Sequence, residues 1–338
     1  ATTAAPLFGT RRSHVGYYLL GHGRCQLEQE IAYRPSRTVR WRRGVVAHPT
    51  LVYLGGITLG TVSLLTTVGA YTARSLPAGE HLLWWTLGAV LLTLVPALTV
   101  ATAVVNWLLT HTLPTRILPK MAFTTGMPSS CRTMVVIPCL ISHTSDLDTL
   151  FRHLELHFLR NPDPELTFAL LSDFPDAATP TCPEDESLLA YAQAQWAALN
   201  DKYPQSPFYF FHRQRLWNPS EQVWMGWERK RGKLHEFNCL LRGAQDTSYR
   251  TRLGPQARLS TIRYVLTLDA DTVLPRDAAR RLVGTLAHPL NQAAFAADAG
   301  PGQDAATVVD GYTILQPRTA VQPVAANRSL FTRVFAGD

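Results

Sequence analysis

Charge is scarce in this chain. Charged residues make up 17% of its 338 positions, well short of the roughly 25% usual in a soluble domain. Two stretches, 44–73 and 82–110, contain no Lys, Arg, Asp or Glu at all. Cysteine is sparse too. Cys25, Cys131, Cys139, Cys182 and Cys239 are odd in number and form no C-x-x-C pair, which argues against a zinc site or a disulfide framework and for reduced, mostly buried thiols. Internal repeats are missing, and an apolar content of 46% is too high for a disordered or fibrous chain. A cleavable signal peptide does not fit, because the first apolar run begins only about 45 residues in, after a polar head. The first residue is Ala1 rather than Met, so the expectation is a piece cut from something longer.

The charge that is present is unevenly placed. Residues 1–43 hold eight Arg and two Glu, residues 44–110 hold only Arg74 and Glu80, and the remainder is nearly balanced within a net charge of +7. This divides the chain into a basic head (1–46), an apolar hairpin (47–110), a linker (111–130) and a mixed-charge domain (131–338). About 20 apolar residues cross the ~30 Å hydrocarbon core as a helix. Residues 51–71 and 82–107 each suffice, separated by a turn containing Pro77 and Gly79. Trp84, Trp85 and Trp107 sit near the ends of the second run, where indoles favour the interface, and Pro96 predicts a kink inside it. A pair of buried core helices is the alternative. Arg34, Arg37, Arg40, Arg42 and Arg43 precede the hairpin and Arg116 and Lys120 follow it, while the connecting loop offers only Arg74. The positive-inside rule places both ends in the cytoplasm, with the lipid bilayer as a partner.

Beyond the hairpin the pattern alternates. Short β-branched and apolar runs at Thr133–Ile137, Leu166–Leu171, Phe208–Phe211 and Tyr264–Leu268 read as buried strands. Helical spacing predicts helices over Asp146–Leu159, Asp185–Lys202, Lys233–Arg242 and Arg276–Leu286. Strands alternating with helices imply an α/β fold with a mostly parallel sheet covered on both faces, and ligands bind beyond the carboxyl ends of such strands.

Three features at those ends could carry chemistry. Asp269-Ala270-Asp271 follows the run YVLTL directly. Two carboxylates at i and i+2 can share a hard divalent cation, Mg²⁺ or Mn²⁺, with a diphosphate, although a capping or turn pair has the same pattern. Asp173 closes the run LTFALLSD, where it could accept from a nucleotide base or begin a turn with Pro175 and Asp176. The segment 211–238 sets Trp217, Trp224 and Trp227 among Arg213, Arg215, Arg229, Lys230, Arg231 and Lys233. Clustered cations suit phosphate, and Trp faces suit the C–H faces of sugars; a Trp-rich core edge with solvated charges is the plainer reading. Interleaved basic and aromatic residues also occur in nucleic-acid binders, but the net charge of +1 over residues 111–338 gives no broad electrostatic footprint for nucleic acid.

These residues sit in longer stretches, RLWNPSEQVWMGWERKRGKLHEFN (215–238), YVLTLDADTVLPRDAARRLVGTLAHPLN (264–291), GYTILQPR (311–318) and ANRSLF (326–331), besides LPTRILPKMAF after the hairpin. Together they resemble the glycosyltransferase portion of bacterial cyclic β-1,2-glucan synthases from about Ser13 onward. The resemblance implies a GT-A-like, Rossmann-type domain behind a transmembrane hairpin in the bacterial inner membrane, taking glucose from UDP-glucose with inversion and adding it to a growing β-glucan acceptor. It implies that Asp269 and Asp271 form the metal and diphosphate site. It also implies that Lys230-Arg231-Gly232 supplies the K-x-G element contacting the diphosphate, with Lys230 and Gly232 as its fixed positions. Asp173 takes the place of the uridine-contacting carboxylate, and Trp224 and Trp227 fall in the sugar-binding segment. In that family the glucan grows on the protein itself, and a separate phosphorylase-like domain helps to set its length. The chain stops at Asp338 before the acidic motif expected to supply the acceptor base, so the domain is expected to be incomplete and inactive alone. Asp269-Ala270-Asp271-Thr272-Val273 also fits the opening motif of haloacid-dehalogenase-like phosphatases, but that motif belongs near the start of its domain. Another processive glucan synthase and a non-catalytic membrane scaffold are the remaining alternatives.

Overall fold

The computed structural model describes residues 11–77, 79, 81–115, 117–203, 208–295, 307–321 and 323–335. Arg116, Glu80 and the terminal Ala336-Gly337-Asp338 therefore lie outside the described residues. The chain divides into two compact units, one of residues 16–117, the other of residues up to 15 and from 118 onward.

In the first unit, α1 (Val15–Leu19) and α2 (Arg24–Glu30) lead into α3 (Arg37–Ala47), whose N-terminus is capped by the Ser36 hydroxyl accepting from Val39 N. Glu28 of α2 takes both Nη atoms of Arg43 at 2.8 and 2.6 Å, and that contact holds its carboxyl down to about 2. Helices α4 (Pro49–Ser75) and α5 (Leu82–Thr112) follow. Their 27 and 31 residues extend about 40 and 46 Å at 1.5 Å per residue, enough to cross a bilayer. Both run several residues past the apolar runs read from the sequence, and α5 continues through Pro96. Small residues set their contact: a Cβ on Gly60 would lie 3.1 Å from Ala101 Cβ, and Ala97 and Ala101 are buried. Close approach through small side chains is how helices associate in lipid, where apolar burial between them contributes little. The outward faces carry exposed Leu51, Leu59, Trp84 and Leu92, the opposite of a pair of buried core helices.

The second unit is built on a five-stranded sheet. Its elements are β1 (Thr133–Leu140), α6 (Thr144–Arg160), β2 (Leu166–Asp173), α7 (Asp185–Lys202), β3 (Phe208–Arg213), β4 (Leu216–Asn218), β5 (Val223–Met225), α8 (Arg229–Leu241), β6 (Tyr249–Leu253), β7 (Tyr264–Thr267) and α9 (Ala278–Ala287). The strand order is β6-β3-β2-β1-β7, with β3, β2, β1 and β7 parallel and β6 antiparallel at one edge. Alternating side chains explain the layers. Val135, Ile137, Phe168, Leu170, Phe208 and Phe210 face one way, against α6, α7 and α9. Met134, Val136, Ala169, Leu171, Tyr209 and Phe211 face the other, against Phe237 and Leu240 of α8 and Tyr249 of β6. Burial on both faces makes these strands read as unbroken apolar runs. Beyond α9 come β8 (Ala294–Phe295) paired with β9 (Val308–Asp310), then α10 (Pro323–Ala326) and α11 (Leu330–Phe335). Arg11 joins this unit through an ion pair with Asp310.

The mostly parallel α/β sheet agrees with the sequence reading, and two elements add to it. The strand β6 is antiparallel, and β4 and β5 form a separate hairpin. Helix α8 also starts at Arg229, four residues before the start read from the sequence.

Candidate functional site

The chain folds outward in both directions from β1: β2 and β3 lie on one side and β7 on the other. That reversal makes a crevice beyond the carboxyl ends of β1 and β7, the place where open α/β sheets bind ligands. Asp269-Ala270-Asp271 emerges there, immediately after β7 and Leu268. Ala270 packs against the core, while Asp269 and Asp271 on either side of it are exposed. The turn is held by Thr272 N donating to Asp269 O at 3.0 Å, and His153 Nδ1 of α6 lies 3.2 Å from Ala270 O. Lys230 Nζ, from the first turn of α8, is ion-paired with Asp269 Oδ1. The structure thus brings together two of the sequence's site features, the D-x-D carboxylates and the K-x-G lysine.

Gly232 has a packing role. It is buried on α8, and a Cβ there would stand 2.0 Å from the carbonyl oxygen of Trp227. Only glycine lets the helix close against the preceding loop, which turns through positive φ at Glu228 (51°) and Arg229 (46°). A side chain beyond Cβ at those two positions makes this conformation costly unless the surroundings hold it.

What holds it is a buried ion network. Asp173, at the carboxyl end of β2, is 3% exposed and Arg213, at the end of β3, is 1% exposed. Arg213 Nε and Nη2 donate to Asp173 Oδ1 and Oδ2 at 2.8 and 2.7 Å. Its Nη1 donates to Trp227 O at 3.0 Å and Glu236 Oε1 at 3.2 Å, and Nη2 also reaches Arg229 O at 3.0 Å. All five guanidinium donors are therefore used, and two of them grip carbonyls of the positive-φ loop. Burial opposes the Arg213 charge, but the Asp173 pairing outweighs it and the net shift is upward. Lys233 Nζ lies 3.1 Å from Asp173 Oδ2 and donates to Cys139 O at 2.5 Å. Burial pulls its ammonium below the usual lysine range, with Asp173 opposing. Glu236 Oε2 accepts from Ser248 N at 2.7 Å. Two cations and two carboxylates balance, the condition under which buried charge is tolerated. Gly226 completes the fit, since a Cβ there would meet Asp173 Oδ2 at 2.6 Å.

These contacts narrow the cation cluster read from the sequence. Arg213 and Lys233 are buried in the network, and Arg215 is buried against Asp185 at 2.5 Å, so none of the three faces a ligand. Arg229, Lys230 and Arg231 remain at the surface. Asp173 stands at the strand end read for it, with both oxygens already bonded. Trp224 is half-buried on β5 and pairs across the hairpin with Trp217 at 5.7 Å, whereas Trp227 is exposed. The sequence reading did not foresee the Arg213–Asp173–Lys233–Glu236 network. Its only trace is charge placed where apolar periodicity should continue, at the ends of two strands and on the inner face of a helix.

Among the described residues no cluster of three or more His, Cys, Asp or Glu is placed to hold a metal ion. Asp269 and Asp271 offer two hard oxygen donors beside a lysine. That donor set suits Mg²⁺ or Mn²⁺ completed by ligand phosphates better than an all-protein cage.

No protein-family model matches the chain. A comparison with curated proteins finds 38% identity over 340 residues, 99% of this chain, to the cyclic β-(1,2)-glucan synthase NdvB of Rhizobium meliloti (strain 1021). The resemblance read from the motifs is thus borne out along the whole sequence. The chain spans 11% of that relative's length.

Proposed function

We propose that this chain belongs to the glycosyltransferase module of a membrane-bound cyclic β-1,2-glucan synthase, with a GT-A-like domain that uses UDP-glucose. The observation that carries the reading is the Lys230–Asp269 pair at the switch point of the sheet, in a chain with extended identity to NdvB. A diphosphate placed against the D-x-D turn lies within reach of the Lys230 ammonium. Lys230 sits in the first turn of α8 and the two carboxylates on the turn that follows β7.

In the proposed reaction a glucosyl 2-hydroxyl gives up its proton to a general base and attacks the anomeric carbon of UDP-glucose from the face opposite the leaving group. The C1–O bond to the diphosphate breaks and UDP departs. Lys230 adds positive charge where negative charge develops, and preorganised charge of this kind is a large part of transition-state stabilisation. A Mg²⁺ or Mn²⁺ ion held by Asp269 and Asp271 would neutralise the diphosphate when bound. Asp173 acts here through Arg213, as the anchor that fixes the loop before Lys230. We assign no acceptor base among the described residues. The hairpin α4–α5 would anchor the module in the bacterial inner membrane with the sheet on the cytoplasmic side, as the flanking arginines favour.

The test is calorimetric binding of UDP-glucose to the detergent-solubilised chain, with and without Mn²⁺, beside Asp271→Ala, followed by incorporation of labelled glucose by the full-length protein. Metal-dependent binding that Asp271→Ala abolishes is expected. Undiminished glucose incorporation by full-length Asp271→Ala would refute the metal and donor assignment.

A further inference from the structure

A cleft in the sheet unit lies between the β4–β5 hairpin and the start of α8. It has a volume of about 440 Å³, within the usual range for small-molecule sites. Trp217 and Trp227 both line it, and each leaves 44% of its surface exposed. Indoles of that size are ordinarily buried or at an interface. Asn218, Glu221, Glu228 and Arg229 supply the polar part of the wall.

The electrostatics of this wall select the ligand class. Arg229 is already neutralised, by Glu221 at 2.6 Å and Asp176 at 3.0 Å. A phosphate would have to displace those carboxylates. A neutral polyhydroxyl ligand would not, because paired carboxylate and guanidinium groups both present hydrogen-bonding edges to hydroxyls. Flat apolar faces combined with such edges suit a pyranose, whose ring has C–H faces and a hydroxyl rim. Position points the same way: Arg229 lines the cleft, and the next residue is Lys230, ion-paired with Asp269. The cleft wall and the proposed donor site therefore share the start of α8.

We infer that this cleft is a glucan subsite, in which glucose units of the acceptor chain stack on Trp217 and Trp227. The inference rests on the glucosyltransferase reading and adds Trp217, an indole that reading does not use.

The experiment measures binding of a short linear β-1,2-linked gluco-oligosaccharide to the detergent-solubilised chain by calorimetry, in parallel with UDP-glucose. Saturable oligosaccharide binding is expected, weakened about tenfold or more in Trp217→Ala and largely recovered in Trp217→Phe. A second readout needs no variant. Oxidation of the wild-type chain with N-bromosuccinimide, read residue by residue by mass spectrometry, should be slowed by the oligosaccharide at Trp217 and Trp227 but not at Trp84. Failure of the oligosaccharide to bind where UDP-glucose binds, or equal oxidation of Trp217 with and without it, would overturn the subsite and leave the donor reading standing. Trp217-dependent oligosaccharide binding without any UDP-glucose binding would do the reverse.

Discussion

Lys230 on α8 and Asp269 beyond β7 form an ion pair across 39 residues of sequence. The contact spans the sheet's switch point, linking an element that packs on one face to the turn that closes the edge strand. Both side chains are more than half exposed, so screening by water leaves the pair little effect on stability. A pair that contributes little to folding yet sits where ligands bind is better explained by the ligand than by the fold.

Lys230→Ala should therefore separate binding from folding. Unfolding of the variant should stay within about 0.5 kcal/mol of the parent chain. Its affinity for UDP-glucose should fall about tenfold or more, the usual loss on removing a hydrogen bond to a charged group. Calorimetry beside thermal unfolding checks both halves, and an unchanged affinity would remove Lys230 from the site.

Arg213→Met should instead lower stability and binding together. It leaves Asp173 buried with only Lys233 beside it and frees the carbonyls of Trp227 and Arg229. Breaking one side of a buried ion pair costs about 3–5 kcal/mol, which denaturant unfolding would show directly. Arg213→Lys keeps the charge but not the five-donor fork, so it should recover only part of the loss. Because the released loop carries Lys230, donor affinity should fall in both variants, and more steeply than stability alone explains.

Two glycines give a matched contrast. Gly44 in α3 has open space where a Cβ would stand, so Gly44→Ala should stabilise its helix by about 0.5–1 kcal/mol. Gly232→Ala meets the Trp227 carbonyl at 2.0 Å. The backbone must shift, at a cost of about 2 kcal/mol or more, and the displaced Lys230 should weaken UDP-glucose binding. Equal tolerance at both sites would show that α8 has room to move.

The fold was largely legible because its signals are local. Runs such as LTFALL are buried on both faces, and two long charge-free stretches flanking a short turn mark a pair of long apolar helices. The D-x-D turn was legible for the same reason, since Ala270 between two acids states which residue packs inward. The ion network was not. Asp173, Arg213, Lys233 and Glu236 come from three elements, and only the tertiary fold makes them neighbours. Arg213 looked like one more cation in a basic segment, whereas burial turns it into the tie between β2, β3 and the loop before α8. The early start of α8 escaped for a related reason: its positive-φ entry at Glu228 and Arg229 depends on Arg213 holding the carbonyls.

Among the buried histidines of the sheet unit, burial holds His157 and His212 furthest below the usual range and shifts His288 the same way. His157 on α6 accepts from Leu274 N at 3.4 Å, and His212 on β3 lies 2.9 Å from the Ser172 hydroxyl, with its ring 4.2 Å from that of Phe174. Burial pulls each from the usual 6.5 down to about 4. The unfolded chain then binds more protons than the folded one between those limits, so stability rises with pH across that window. The contribution is complete above about pH 6.5 and is lost progressively as pH falls toward about 4, by about 3 kcal/mol for each histidine. Urea unfolding of the solubilised chain at a series of pH values should show that slope. The double variant His157→Gln/His212→Gln should flatten it, since glutamine keeps a hydrogen-bonding group without a titrating one. If the slope persists unchanged in the double variant, the acid sensitivity belongs to the carboxylates and the two histidines are bystanders.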